Sequence, residues 1–339
     1  MKINRRKFIL STLITAGTAT LPRFIRAQNK AETKRTVALL MDSLQSPFWV
    51  TSRAVIHNKA DEKGWTILEA ISNLDDNKQF QQVQSMLQRK VDGIIIVQTD
   101  ANAVIPAIRA ANAANVPMVH YNRPPAQSDA YSVAVQADNR KIMSQTVTAL
   151  VEEAKRAGGK YEAALLIGDL GDQNAIQRRD GFFDVVDNNK DLVKVVARIS
   201  TEWNPDKAFA GLTNALQANP GINFLVTSSD FLHPQIEQAL KGAGKWKKQG
   251  EQGHVLFGGF DGDEGAYQRL ADGYLDVDGV QNISYEVELT FKALEDMWAG
   301  QKPEKLLLDP GFVITQENLA QKRDDMWGYT VWKQLQNKG

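Results

Sequence analysis

Thr36-Val37-Ala38-Leu39-Leu40-Met41, a turn, the amphipathic stretch Phe48–Lys63, and then Thr66–Ala70 set the architecture of this chain. A short run of Val, Leu and Ala without polar alternation suits a strand buried on both faces of a parallel sheet. Apolar residues at i, i+3 and i+4 spacing suit a helix with one face on that sheet. Strand, helix, strand at a pitch of roughly 25–30 residues is a right-handed βαβ unit. Working outward, strand-like runs recur at Gly93–Val97, Val116–Tyr121, Ala163–Gly168, Val193–Ile199, Phe224–Thr227 and Val255–Gly259. Asn77–Arg89, Ala103–Ala114 and Arg140–Ala157 carry helical periodicity between them.

The alternation runs through twice, over Arg35–Ala137 and Tyr161–Gln281. A helix at Ser284–Trp298 and the apolar run Leu306–Leu308 follow. This predicts an α/β fold of two doubly wound parallel-sheet lobes joined by three hinge crossings. The crossings are expected near Ala137–Asp138, Gln281–Asn282 and Asp309–Gly311. Residues 34–137 with 282–310 would form the N-terminal lobe, and 138–281 with 311–339 the C-terminal lobe. Open sheets of this kind bind ligands beyond the carboxyl ends of their strands, so two facing lobes make a cleft.

Of the 339 residues, 43% are hydrophobic and 24% charged, which excludes fibrous and disordered classes. Cysteine is absent, so thiolate catalysis, disulfides and Cys-ligated metals are excluded. Four His leave little material for a His-based centre. No G-x-S-x-G, H-E-x-x-H or G-x-x-x-x-G-K-[ST] pattern occurs. Gly168 and Gly171 lack the third Gly of a dinucleotide fingerprint and read as turn residues. Asp187–Asp191 imitates the start of a calcium loop, but Leu192 stands where Gly must turn and Arg198 where Glu must close it. Asp263 and Glu264 suit the first turn of a helix. The expectation is therefore a protein that is not an enzyme, with no cofactor and no metal.

Residues 1–27 hold six Lys or Arg and no acid, followed from Phe8 to Leu21 by an apolar run too short to span a bilayer. This is the layout of an export signal ending near Ala27. Asn4-Arg5-Arg6-Lys7-Phe8-Ile9-Leu10 resembles the twin-arginine motif of that class. The expected destination is the periplasm. Without the signal, 34 basic residues face 40 acidic ones, the wrong sign for a nucleic-acid binder.

The strand-end motifs resemble those of type I periplasmic sugar-binding proteins, the ribose-binding group, in order along Arg35 to Leu308. Ser46-Pro47-Phe48-Trp49 is similar to its Asn-Pro-Phe-Phe helix start, and Ile96–Asp100 to the loop ending its third strand. Val116–Arg123 resembles I-P-V-V-x-x-D-R, and Ala137-Asp138-Asn139 resembles S-D-N. Arg178–Phe182 resembles R-x-x-G-F, Trp203-Asn204 an aromatic-led loop, Ser229-Asp230 an N-D turn, and Gly259–Gly262 G-F-D-G. Gln281 falls at the family's hinge glutamine.

The resemblance implies a receptor for a sugar or sugar-like polyol, docking on the membrane permease of an ABC importer as a monomer. A sensor subunit presenting a ligand to a membrane kinase or chemoreceptor is the alternative. Phe48, Trp49 and Trp203 would be plates against C–H faces, with Phe260 or Phe231 as a lid. Ser46, Asn122, Arg123, Arg178, Ser229, Asp261 and Gln281 would hydrogen-bond hydroxyls, and His120 would pack in its strand. Several family polar groups are replaced, by Ser46, Val97, Asn122, Ala137 and Ser229, while both arginines remain. Several hydroxyl-binding groups are thereby lost and unpaired buried guanidinium is costly, so the ligand is expected to be less hydroxylated than a pentopyranose, or to be a sugar acid or other anionic polyol.

Overall fold

The computed structural model describes residues 34–336; the expected export signal at 1–27 lies outside them. The opening unit is β1 (Thr36–Met41), α1 (Pro47–Glu62) and β2 (Thr66–Ile71). It continues through α2 (Asp76–Gln88), β3 (Gly93–Ile96), α3 (Ile105–Ala113), β4 (Met118–Tyr121) and β5 (Val133–Ala137). The second unit holds α4 (Asn139–Ala157), β6 (Tyr161–Ile167), α5 (Gln173–Val186), β7 (Val193–Ser200) and α6 (Pro205–Ala218). It goes on with β8 (Ile222–Thr227), α7 (His233–Gly242), β9 (Leu256–Asp261), α8 (Glu264–Asp272) and β10 (Val277–Val280). The remainder is α9 (Ile283–Trp298), β11 (Leu306–Asp309), β12 (Phe312–Thr315), α10 (Leu319–Lys322) and α11 (Trp327–Gln336).

These strands form two six-stranded sheets, β11-β5-β4-β3-β1-β2 and β12-β10-β9-β8-β6-β7. The first is parallel throughout. In the second only β12 runs antiparallel, against β10. The fold is thus the expected pair of doubly wound lobes, with one reversed edge strand. β5, β10 and β12 are not among the runs singled out from the sequence; β10, Val-Asp-Gly-Val, is half polar or Gly. All the same, each of its residues is buried, because sheet position overrides strand propensity.

The core explains the strand composition. Val37 through Met41 and Ile94 through Ile96 are fully buried, and truncating one such side chain to Ala typically costs about 2–5 kcal/mol. On one face of the first sheet, Trp65 stacks on Phe291 at 4.8 Å and meets Trp298 edge-on at 5.0 Å.

The chain leaves the first sheet after β5, returns after β10, and leaves again between β11 and β12. Asp309 ties these three passages together. Its backbone O accepts from Asp138 N at 2.8 Å, its Oδ2 from Asn282 N at 2.6 Å, and its Oδ1 from Gly311 N at 3.0 Å. Gly311 has φ +50°, and a Cβ there would sit 2.3 Å from Ile142 Cδ1 and 2.6 Å from Val280 O. Only Gly fits that turn.

Candidate functional site

A cavity of about 320 Å³ opens at the carboxyl ends of the strands, with walls from both sheets. All ten residues singled out from the sequence line it, together with Phe231. Phe260 does not. It is fully buried and lies under the Arg178 guanidinium at 3.9 Å, so it is a floor and not a lid.

Ser46 is the N-cap of α1, its Oγ accepting from Phe48 N at 3.2 Å, with Pro47 in the first helical turn. The cap aims Phe48 and Trp49 inward, their rings edge to face at 4.9 Å. Asn122, just past β4, has φ +63°. Its Nδ2 donates to Gln281 Oε1 at 2.7 Å and Glu286 Oε2 at 3.0 Å, while its Oδ1 accepts from Asn174 Nδ2 at 2.9 Å. Burial holds the Glu286 carboxyl well above its ordinary range.

Arg123 packs over Trp49, 5.1 Å from the ring centre. Its Nη1 donates to Asp42 Oδ2 at 2.5 Å, and its Nε lies 3.0 Å from Asp172 Oδ2. Burial, opposed by the Arg123 charge, leaves the Asp42 pKa raised. Behind Arg123, Gln98 Nε2 donates to its carbonyl at 2.6 Å, and His120 Nδ1 meets Gln98 Oε1 at 2.9 Å. His120 is wholly buried and its pKa falls to about 3, so it is a neutral strand residue, as expected.

On the other wall Arg178 donates from Nη1 to Asp261 Oδ1 at 3.0 Å and Ser228 O at 2.7 Å, and from Nε to Asn139 Oδ1 at 2.7 Å. Asp261 also accepts from Gln281 Nε2 at 2.6 Å and from Ser229 Oγ. Burial raises the Asp261 pKa. Trp203 has φ +53°, and its Nε1 donates to Asp172 Oδ2 at 3.2 Å. Its indole lies on Gly168, where a Cβ would fall 2.1 Å from the ring. Gly168, expected to serve a turn, is the bed for this ring.

The expectation of unpaired arginines is not met. Arg123 is paired with Asp42 and Asp172, and Arg178 with Asp261. The argument for a sugar acid loses its premise. Asp42, Asp100, Asp169, Asp172 and Asn174 also line the cavity and were not named as ligand contacts from the sequence, though Asp100 closes a motif that was. Their signal was position alone, directly after β1, β3 and β6. Trp327, at the start of α11, was missed as a site support. Its Nε1 donates to Asp261 O at 2.8 Å, and its ring meets Phe48 edge-on at 6.0 Å.

Residues 37–302 match the periplasmic binding protein domain family. The ribose import binding protein of Bacillus subtilis is 26% identical over 306 residues, 90% of this chain and 95% of the relative. The D-apiose import binding protein of Actinobacillus succinogenes is 28% identical over 228 residues, 67% of this chain and 70% of the relative. The crystal structure of an ABC transporter periplasmic solute binding protein from Actinobacillus succinogenes, with bound D-allose, superposes with a TM-score of 0.77 at 24% identity. It covers 84% of this chain and 98% of that one. With its two facing parallel sheets and the matched span, this chain belongs to the periplasmic binding protein domain family, as a type I periplasmic binding protein of the sugar-binding group.

Proposed function

We propose that the protein is a periplasmic receptor that captures a monosaccharide-sized sugar or polyol and delivers it to the permease of an ABC importer. The observation that carries this reading is the cavity between the sheets, with aromatic plates on both walls and polar side chains converging from both. Phe48, Trp49 and Trp203 cover the C–H faces of a ring. Ser46, Asn122, Arg123, Arg178, Ser229, Asp261 and Gln281 hold its hydroxyls. Contacts from both lobes to one ligand bias the hinge toward closure, and the closed form is what a permease reads. The names of the import binding proteins among its relatives support the same reading. So does the basic, apolar segment at residues 1–27, which would deliver the chain, as a monomer, to the periplasm. Among the described residues no helix is long and apolar enough to cross a membrane. The chain acts by binding and not by catalysis.

A thermal-shift screen of the purified protein against aldoses, deoxysugars, polyols, inositols and sugar acids tests this. A ligand at a hundredfold excess over its Kd stabilises the folded state by about 2.7 kcal/mol. A rise in melting temperature with one stereochemical family is the expected result. Flat melting curves across this library, and with the corresponding aminosugars and inosamines as well, would overturn the receptor reading.

A further inference from the structure

The cleft holds more negative charge than its own arginines neutralise. Arg123 lies between two carboxylates, Asp42 and Asp172, while Arg178 answers Asp261. Glu202 on the rim is paired with Lys207. One negative charge of the Asp42–Arg123–Asp172 set therefore has no counter-ion inside the cavity.

Two further acids stand at its mouth. Asp100, after β3, accepts from Asn102 N and Ala103 N through Oδ1 at 2.7 and 2.8 Å. Asp169, after β6, accepts from Gly171 N at 2.7 Å. Neither is in a salt bridge among the described residues; Asp169 feels the Arg123 guanidinium only at longer range, a cation already held by Asp42 and Asp172. The two come from opposite sheets to one point of the rim. A Cβ on Gly171 would meet Asp169 Oδ1 at 3.2 Å and Asp100 Oδ2 at 3.6 Å.

Resting on the receptor reading above, we propose that the ligand is a cation, a polyhydroxylated ring bearing a protonated amine, such as an aminosugar or aminocyclitol. The ring lies between Trp49 and Trp203, and the ammonium meets the Asp42–Asp172 pair or the Asp100–Asp169 rim. A neutral sugar satisfies hydrogen bonds but leaves a charge uncompensated in a site closed to water, where desolvation makes that costly. A sugar acid adds to the excess. An ammonium offers three donors to the carboxylates and forms charge-assisted bonds, stronger than those of a hydroxyl. It also removes the like-charge repulsion between Asp100 and Asp169 that closure builds, so affinity and closure are coupled. A metal ion alone is a poorer fit, since no group of three or more acidic or His side chains is placed to hold one among the described residues.

Calorimetric titration of the full chain with matched pairs tests this: D-glucosamine with D-glucose, D-galactosamine with D-galactose, D-allosamine with D-allose, and an inosamine with myo-inositol. N-Acetylglucosamine, D-galacturonate and ethanolamine serve as controls. In at least one pair the amine should bind roughly tenfold tighter or better, an advantage that shrinks with added salt. An Asp100→Asn/Asp169→Asn double variant should cut the amine-to-neutral ratio about fivefold. A neutral member equal to or tighter than its amine in every pair that binds overturns the proposal while leaving the receptor reading intact. Preference for galacturonate, or ethanolamine binding as well as the rings, does the same. No binding by either member of any pair, nor by any other carbohydrate or polyol in the thermal-shift library, overturns the receptor reading as well.

Discussion

Asp278 sits on β10 with no exposed surface, its carboxyl set against that of Asp230. Burial, with the charges of Asp230, Asp263 and Asp261 nearby, pushes its pKa well above the ordinary carboxylate range. Asp230 is raised for the same first reason, and Asp263 reaches about 6. A folded-state pKa above the unfolded one means that the folded chain binds the extra proton. The stability tied to Asp278 is therefore present at low pH and lost as pH rises through its folded pKa. Asp278→Asn keeps the shape and removes the charge. It should raise the melting temperature by a few degrees at about pH 9 and by less at about pH 5, as read by calorimetry. Asp42 carries a second pH-dependent consequence. With Arg123 and Asp172 as the charged groups against it, it loses its charge at a higher pH than an ordinary Asp. Mild acidification should therefore weaken binding of an amine ligand while a neutral one holds, a contrast that titrations at two pH values would show.

The elements deliver the site through their ends. β1, β3 and β4 end at Asp42, Asp100 and Asn122–Arg123, while β6, β9 and β10 end at Asp169–Asp172, Asp261 and Gln281. Strand ends are short local motifs, so their residues were legible: Phe48-Trp49 at a helix start, Arg123 after a buried strand, Asp261 within G-F-D-G. Partners distant in sequence were not. Asp42 meets Arg123 across 81 residues, and nothing near either residue encodes that pairing. The expectation that the arginines stand unpaired failed for that reason. Trp327 escaped because its work is done 66 residues away, at Asp261 O. The β6–α5 turn gives an element-scale test. Gly168→Val puts carbon where the Trp203 indole lies, displacing that ring without touching the sheet core. The near-ultraviolet dichroism of the tryptophans should change and ligand affinity drop about tenfold or more, while far-ultraviolet dichroism stays as in the parent.

At the scale of the molecule, the two doubly wound lobes were readable from alternation because most of their strands are local apolar runs. The reversed edge strand β12 was not, since its direction is decided by the sharp turn at Gly311 and not by its own residues. The three passages between the sheets share one clasp, the backbone O and side chain of Asp309. Asp309→Ala leaves the N–H groups of Asn282 and Gly311 without their acceptor, at a cost of about 1–3 kcal/mol. The expected outcome is a lower melting temperature and a larger radius of gyration for the ligand-free protein in X-ray scattering. An unchanged radius would show that the clasp does not set the opening.

Three tethers pinned at one residue leave the sheets little besides rotation about a single axis, so one separation measured away from that axis reports the whole motion. Leu74, which lines the cavity mouth, and Leu170, both exposed, stand in the loops after β2 and β6, one on each sheet. The chain has no native thiol. Leu74→Cys with Leu170→Cys can therefore be labelled with a dye pair and nothing else reacts, which turns this receptor into an optical gauge of its own ligand.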